Sequence, residues 1–521
     1  MFRKKTVAVA MAAALMLTAC SSSESSKKDS KKDKDEKTTV VTQKDSADKS
    51  EKETDKGSKE ETKKADDKEK FAKADPVDPK ATVPQYSYTA TKTGTIATKY
   101  LYTNGGLAYE KAGEDTYRVY LSDGKLFPEE GAGELSNGEY LGGGLYEVRK
   151  NSEGNVNSAG LITSSGEILI PFEAASVEWI KTEDETKHRY VKAIYATEVT
   201  TNKEEAMIRF TKNQFSWDVS EGDTLYKGYV KIYDTVNKKF VSDKKFTNPD
   251  SYCFSEVGDS FIYTDENKVT TLYSADGKEL VSGDKYNCNT DGTVFIVTDK
   301  EYKYTVYNSA GEKLQKSDFG LSILHGQSGL LVMRDSSKDE KYLVDYAGNR
   351  ISDKSFKNAY ANCGGIIEIE NESGVKALTH PDGTEIVSNQ KSFYSIIPGY
   401  EYYQAADGKY VIVTADGEIC TDCQDSYNLV AYDAEGKYFV WNNKSYSLQL
   451  DTANTRYLEL GLVKTKTAEG KYALYDLFTG NQVLEGVYDD IKTSGDLAYG
   501  YNKDAGSWDV YKLTSNLPYD D

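Results

Sequence analysis

Gly470 to Ile491 reads GKYALYDLFTGNQVLEGVYDDI. Its first half alternates, with Tyr472 and Leu474 set against Ala473 and Tyr475. A polar turn follows at Asp476 to Gly480, and a second apolar pair stands at Val483 and Leu484. A period of two on either side of a glycine turn predicts a strand, a turn and a strand. The unit recurs at Leu272 to Leu280 around Asp276-Gly277, Val306 to Leu314 around Gly311, Leu343 to Ile351 around Gly348 and Val411 to Cys420 around Asp416-Gly417. Turn glycines at 277, 311, 348, 383 and 417 stand 34, 37, 35 and 34 residues apart. The 63-residue step on to Gly480 leaves room for one more copy, at Lys437 to Leu448 with Asn442-Asn443 at its turn. Looser copies lie at Val119 to Leu126, Leu161 to Ile170 and Val230 to Val241; between the last two, Thr182 to Asp223 reads as an insertion or a degraded repeat.

Ahead of each hairpin stands another apolar stretch, such as Phe261 to Thr264, Val294 to Thr298, Leu330 to Met333, Ile366 to Ile369 and Tyr400 to Gln404. The expected fold is therefore all-β, built from about ten three-stranded units. A single unit cannot bury its apolar face, so neighbours must stack into a continuous core. Two arrangements do this, a closed β-propeller-like one and an open β-solenoid. A period of 35 is short for a four-stranded blade, which takes about 40–45 residues. Closure is nevertheless the preferred expectation, because it removes exposed edges. The chain also finishes on a partial unit, Tyr499 to Leu513, while a spare strand-like stretch lies at Tyr86 to Tyr102.

Several units resemble the bacterial Trp-Gly (WG) repeat, which runs Gly-Lys-Trp-Gly-Leu-Ile-Asp, a turn glycine and a later Tyr-Asp-Asp-Ile. The matching residues are Gly470 to Asp476, Gly480 and Val487-Tyr488-Asp489-Asp490-Ile491, with Gly160-Leu161-Ile162, Gly166 and Ile170-Pro171 fitting the middle part. Lys-Tyr replaces Trp-Gly at Lys471-Tyr472, Lys437-Tyr438, Lys409-Tyr410 and Lys341-Tyr342. The resemblance implies a repeat scaffold, often at the cell surface, and brings no shared catalytic set.

Upstream, residues 1–20 carry a basic head (Arg3, Lys4, Lys5), an apolar run from Val7 to Leu17 and then Leu17-Thr18-Ala19-Cys20. The run is short for a membrane span and ends in small residues, as a cleaved secretion signal does. Leu-Thr-Ala-Cys resembles the lipobox of bacterial lipoproteins, which implies a diacylated Cys20 as the new N-terminus. Two acyl chains hold a membrane far better than one, each buried methylene contributing about 0.8 kcal/mol. The expected location is extracytoplasmic, anchored to the cell membrane by that lipid. Residues 21–85 read as a disordered, charged linker: up to residue 80 there are 17 Lys against 17 acidic residues, with Val40, Val41, Phe71 and Val77 as the larger apolar side chains. Such a composition cannot offset its ordering entropy by burial. Residues 86–521 form the repeat domain.

From residue 81 onward 45 basic residues face 67 acidic ones, a net charge of about −22. That surface repels nucleic acid and anionic membrane and favours neutral, cationic or metal-bridged partners. His188, His325 and His380 fall in different units without metal-site spacing, and there is no nucleophile elbow, phosphate loop or His-Glu-x-x-His. Asn287-x-Asn289-x-Asp291-Gly292 matches the first half of a calcium loop, although Thr298 stands where the loop's bidentate Glu belongs. No other cofactor is indicated. Cys253 and Cys288 are one period apart, and Cys420-Thr421-Asp422-Cys423 is a C-x-x-C that could close a local disulfide or remain as thiols.

Tyrosine dominates the aromatics, 41 against 16 Phe and 4 Trp. It suits half-wet strand faces, and some rings could be platforms for a ligand. The candidates are Tyr400, Tyr402, Tyr403 and Tyr410, and Tyr499 and Tyr501 beside Trp508. The expected function is a non-catalytic binding or scaffold module whose ligand is a cell-wall or environmental polysaccharide. The alternatives are a protein-assembly scaffold in an envelope complex and a propeller-type hydrolase or lyase, which would need carboxylates from several units converging with shifted pKa values.

Overall fold

The computed structural model describes residues 70–517, apart from breaks at 114–115, 129–134, 137, 151–154, 183–187, 203–205, 207, 212–213, 217–223, 249–250, 285–286, 325–327, 362–364, 390–391, 424–436, 441–443, 450–455 and 460. Among these residues every sheet pairing between strands is antiparallel, and the strands form eleven sheets taken mostly in chain order. Sheet I spans 109–127, sheet II 139–174, sheet III 176–240, sheet IV 254–284, sheet V 288–317, sheet VI 320–345, sheet VII 358–389, sheet VIII 394–423, sheet IX 437–449 and sheet X 456–476. Sheet XI joins Asp490–Ser494, Leu497–Asn502 and Ser507–Ser515 to Tyr88–Ile96 from the other end of the domain.

That last pairing is the one a closed arrangement requires. Eight residue pairs hold it, from Tyr88 opposite Ser515 to Ile96 opposite Trp508, with one bulge between Lys92 and Gly94. An open solenoid leaves its first and last units unpaired, so the fold is propeller-like. Consecutive sheets also share cores: sheets IV and V meet at Val257, Leu272 and Phe295, sheets V and VI at Val306, Leu314, Leu331 and Val344, and sheets X and XI at Leu462, Leu474, Ile491 and Ala498. Sheets II to VII thus bury both faces against their neighbours.

The full sheets carry one strand more than the three read from the sequence. The extra strand is the first of each sheet, for example Phe254–Val257, Cys288–Thr290 and Asn358–Ala361. These strands are three or four residues long and mix small, polar and aromatic residues, so they show no alternation long enough to detect. Four strands fit a 35-residue period because the turn between the third and fourth is tight. Asn308 donates to Glu312 O and Gly311 to Asn308 O, both at 2.9 Å, and the register slips by one residue between Val306 and Tyr307. This is a type I turn closed by a glycine bulge. Gly311 sits at φ 77°, where its amide closes the turn, and a Cβ there would lie 2.8 Å from Leu280 Cβ of the sheet before. The repeated turn glycine is therefore a packing requirement as well as a turn signal.

The irregular stretch from Thr182 to Asp223 holds a central strand of sheet III and an inserted hairpin. Sheet III uses two eleven-residue strands, Tyr190–Thr200 and Thr224–Asp234, and a short hairpin of Ile208–Thr211 and Gln214–Ser216 is added to the edge of the second. The hairpin expected at Lys437 to Leu448 is sheet IX, Lys437–Val440 paired with Lys444–Gln449.

The linker boundary moves. Residues 70–86, read from composition as mostly linker, lie against the repeats: Ala72 N–H donates to Lys313 O at 2.7 Å, Asp382 N–H to Pro79 O at 3.2 Å and Tyr86 Oη–H to Pro398 O at 2.8 Å. The composition of this stretch changes in a way that charge counting hides. It holds Pro76, Pro79 and Pro84, three of the nine prolines in the chain, and small apolar residues between its charges.

Candidate functional site: an aromatic cleft beside a strap

In the four-stranded sheets that run in chain order the first turn and the third turn lie at the same edge. Two clefts open along that edge, of about 570 and 560 Å³. Residues 70–86 lie along the first as a strap. Ala72 and Ala74 meet the core shared by sheets V and VI, Val77 that of sheets VI and VII, and Ala81 that of sheets VII and VIII. Successive contacts are three or four residues apart, which an extended proline-rich chain covers in about 9–12 Å. Packed sheets are spaced by about 10 Å, so the strap advances one sheet per contact. At sheet VIII, Pro84 rests on Gly399, where a Cβ would come within 2.4 Å of Pro84 Cδ, and Pro84 O accepts from Tyr400 Oη at 2.8 Å. Tyr86 then packs on Tyr400 and on Phe478 of the turn after sheet X.

Among the described residues no strap lies over the second cleft. It is formed where sheets II, III, X and XI approach, and its lining includes Tyr88, Tyr140, Trp179, His188, Lys238 and Lys512. Trp179 ends the first strand of sheet III, and His188 stands just before the second; their rings stack at 4.8 Å with planes 11° apart. The Trp179 indole N–H donates to Leu141 O, which fixes the ring against sheet II. Opposite, Asp496 in the first turn of sheet XI pairs closely with Lys512 and accepts from Tyr146 Oη at 2.8 Å and from Ser164 Oγ at 3.3 Å. Lys512 Nζ donates to the same Ser164 Oγ at 3.0 Å. Among the described residues lining the cleft Asp496 is the single carboxylate, and both its oxygens are engaged.

The carboxylates with strongly raised pKa values lie elsewhere. Burial pushes Glu147 and Glu256 up to about 7. Glu147 is paired with Arg149 at 2.6 Å on sheet II, while Glu256 on sheet IV accepts the backbone N–H groups of Arg189 and Tyr190, both at 2.9 Å. Arg189 reaches on to Asp234 at 3.0 Å and to Asp259, so this second cluster fastens sheet III to sheet IV.

Most of the residues singled out from the sequence are structural. Tyr400 and Tyr499 are buried, and so is Trp508, which packs on Tyr501 at 4.8 Å in the core of sheets I, II and XI. These rings cannot be sugar platforms, because cross-sheet packing has already taken their faces. Tyr402, Tyr403 and Tyr410 are half-buried: Tyr402 stacks on Tyr394 at 5.3 Å and meets Tyr410 edge-on, while Tyr403 Oη donates to Glu418 at 2.6 Å. The calcium reading of Asn287, Asn289 and Asp291 is corrected. Asp291 is fully buried; its Oδ1 accepts from Thr293 N and Val294 N at 2.9 and 3.0 Å, and its Oδ2 accepts from Tyr346 Oη. Asn289 Oδ1 instead turns back to the Thr290 N–H at 3.0 Å. The motif caps a turn. Cys253 is buried just before the first strand of sheet IV, and Cys288, whose thiol burial pushes up to about 12, opens that of sheet V. Cys420 and Cys423 lie in the strand Gly417–Cys423, but their side chains, like Cys20, fall outside the described residues.

Trp179 and His188 were not selected from the sequence. One signal was available: one of only four tryptophans stands nine residues before one of only three histidines.

No family model matches the chain, and no curated protein matches it. Solved structures align loosely. The computationally designed Ika8 protein gives a TM-score of 0.27 at 10% identity, covering 61% of this chain and 98% of that one. BamB from Moraxella catarrhalis gives 0.26 at 8% identity, covering 65% and 98%, and the C-terminal WD40 domain of Sif2 gives 0.26 at 10%, covering 64% and 95%. At these scores the alignments carry no argument; the fold rests on the strand pairing described above.

Proposed function

We propose that the chain is a cell-surface lipoprotein, tethered through Cys20 and a charged linker, whose propeller-like domain is a non-catalytic binding module for a neutral polysaccharide. The observation that carries the reading is the aromatic cleft: Trp179 stacked on His188, with Tyr88 and Tyr140 in the same wall and Asp496, Lys238 and Lys512 at its polar side. Rings that present an apolar face beside a few fixed polar groups suit a sugar, whose C–H face stacks while its hydroxyls take hydrogen bonds. The net charge of about −22 from residue 81 onward favours a neutral glycan over an anionic wall polymer.

The test is a glycan array followed by calorimetry on the purified mature protein. Saturable binding of a neutral glycan, weakened at least tenfold in Trp179→Ala with little change in the thermal midpoint, is the expected result. Loss of binding in Tyr402→Ala but not in Trp179→Ala would move the site to sheet VIII. No glycan binding, together with capture of one defined envelope protein, would replace this reading with the assembly scaffold. The tether is checked in the same strain, where Cys20→Ala is expected to abolish acyl labelling and release the protein from the membrane fraction.

A further inference from the structure

The strap and the cleft beneath it fit each other poorly. Residues 70–85 pass four sheets without joining any of them, and not one of these side chains is fully buried. The positions that face the shared cores carry small side chains, Ala72, Ala74 and Ala81, with Val77 the largest. Under them remains a cleft of about 570 Å³, lined by Thr293, Val294, Asn308, Leu314, Ser328 and Tyr346 among others. Ala74, Val77 and Ala81 of the strap help line this cleft, which stays partly open to solvent because their side chains are too small to fill it. The track also supplies polar groups suited to a main chain. Lys313 O accepts from Ala72 N–H at 2.7 Å, the Asp382 N–H donates to Pro79 O at 3.2 Å, and His380 Nδ1 accepts from Ala81 N–H at 3.2 Å. Lys80 pairs with Asp382 at 3.0 Å.

We infer that the first-turn edge of sheets V to VIII is a docking track for an extended polypeptide, with the strap as its weak resident occupant. The partner it fits is a proline-containing segment of another protein that carries larger apolar side chains where the strap has Ala74 and Ala81, and a basic residue opposite Asp382. The main-chain groups of the track accept any such segment, as strand-like peptide recognition does, and the unfilled cleft selects the bulkier one. The resident strap lowers the apparent affinity for the partner by the fraction of time it is seated. This site is separate from the aromatic cleft, and the inference stands or fails independently of the glycan.

The experiment uses the full mature protein and two fluorescent synthetic peptides. One copies residues 68–87, and the other carries the substitutions Ala74→Leu and Ala81→Leu. Fluorescence anisotropy is measured on the wild type and on a variant whose own strap is weakened by Val77→Asp and Ala81→Glu. The expected result is saturable binding to the variant at least tenfold tighter than to the wild type, with the leucine peptide tighter than the native one. A folded variant that takes up neither peptide would overturn the inference, as would equal binding to both proteins. A concentration-dependent dimer of the variant without added peptide would also overturn it, by making a second copy's strap the occupant. If the variant does not fold, hydrogen exchange on the wild type decides. Strap amides at Ala72 and Ala81 exchanging well before those of sheet VII support a separable occupant, and exchange only with global unfolding would show the strap to be a fixed part of the core.

Discussion

Glu256 shows how single buried charges set the pH response of the fold. Its side chain is 5% exposed, and its Oε1 accepts the N–H groups of Arg189 and Tyr190. Burial nevertheless dominates and lifts the carboxyl from 4.5 to about 7. The sign follows from proton counting. Between these two values the unfolded chain has lost the proton and the folded chain keeps it, so the unfolded state binds fewer protons and stability falls as pH rises. A shift of this size corresponds to at most about 3 kcal/mol across the window. Glu256→Gln keeps an oxygen acceptor for both amides but cannot ionise. The expected outcome is that denaturant midpoints of wild type and Glu256→Gln differ little near pH 4.5 and separate progressively up to pH 7, with the variant the more stable. Parallel curves across that range would mean that Glu256 stays ionised in the fold, held by Arg189. Glu147, with the same raised value, adds a like contribution that Glu256→Gln leaves in place.

At the scale of the element, the hairpin beginning at Gly470 has a second role in Asp476. The aspartate ends the strand Tyr472–Asp476 and caps its own turn, accepting from Phe478 N at 2.8 Å and from Thr479 Oγ1 at 2.7 Å. It also accepts from Tyr88 N at 3.0 Å, at the start of the strand that closes sheet XI. Asp476→Ala leaves three donors without this acceptor, one buried and two part-buried, at about 1 kcal/mol each. A loss of about 3 kcal/mol in urea unfolding is therefore expected, with Asp476→Asn, which keeps one acceptor oxygen, intermediate. Equal stability of the two variants would assign the effect to the turn alone. The turn residues of this hairpin were legible in the sequence because glycine and aspartate act locally. The bond to Tyr88 was not, since it joins residues 388 apart. The same contrast runs through the chain. The period, the turns and the spare strand at Tyr86 to Tyr102 could be read because alternation and turn chemistry are short-range. The short first strands, the seating of the strap and the Trp179–His188 stack depend on which sheets become neighbours, and no local pattern records that. Tyrosine clusters misled for a related reason: Tyr499 and Tyr402 look alike in sequence, and only the neighbouring sheet decides that one is buried and the other half-open.

For the whole domain, stacked units with nearest-neighbour contacts can unfold from an end inward, and closure removes the end. The strand Tyr88–Ile96 tests this directly, because it pairs with Ser507–Ser515 and places Ile96, 1% exposed, in the core shared by sheets I, II and XI. If closure couples the units, amides from Thr89 to Thr95 that face Ser507–Ser515 exchange at the free energy of global unfolding, alongside those of sheet IV on the far side of the sequence. Ile96→Ala, which empties a buried site at a cost of about 2–5 kcal/mol, then lowers protection in both places by the same amount. In an unclosed array the same substitution would lower protection in sheets XI and I and leave sheet IV unchanged. Native-state hydrogen exchange on the wild type and Ile96→Ala separates the two. The coupled outcome would also explain why a chain with 35-residue units, each too small to be stable alone, can hold two clefts at one edge of its sheets. Closure fixes the distance between first turns, and those turns supply Asp496 and Gly144 to the open cleft and Gly329 and Gly365 to the strap's.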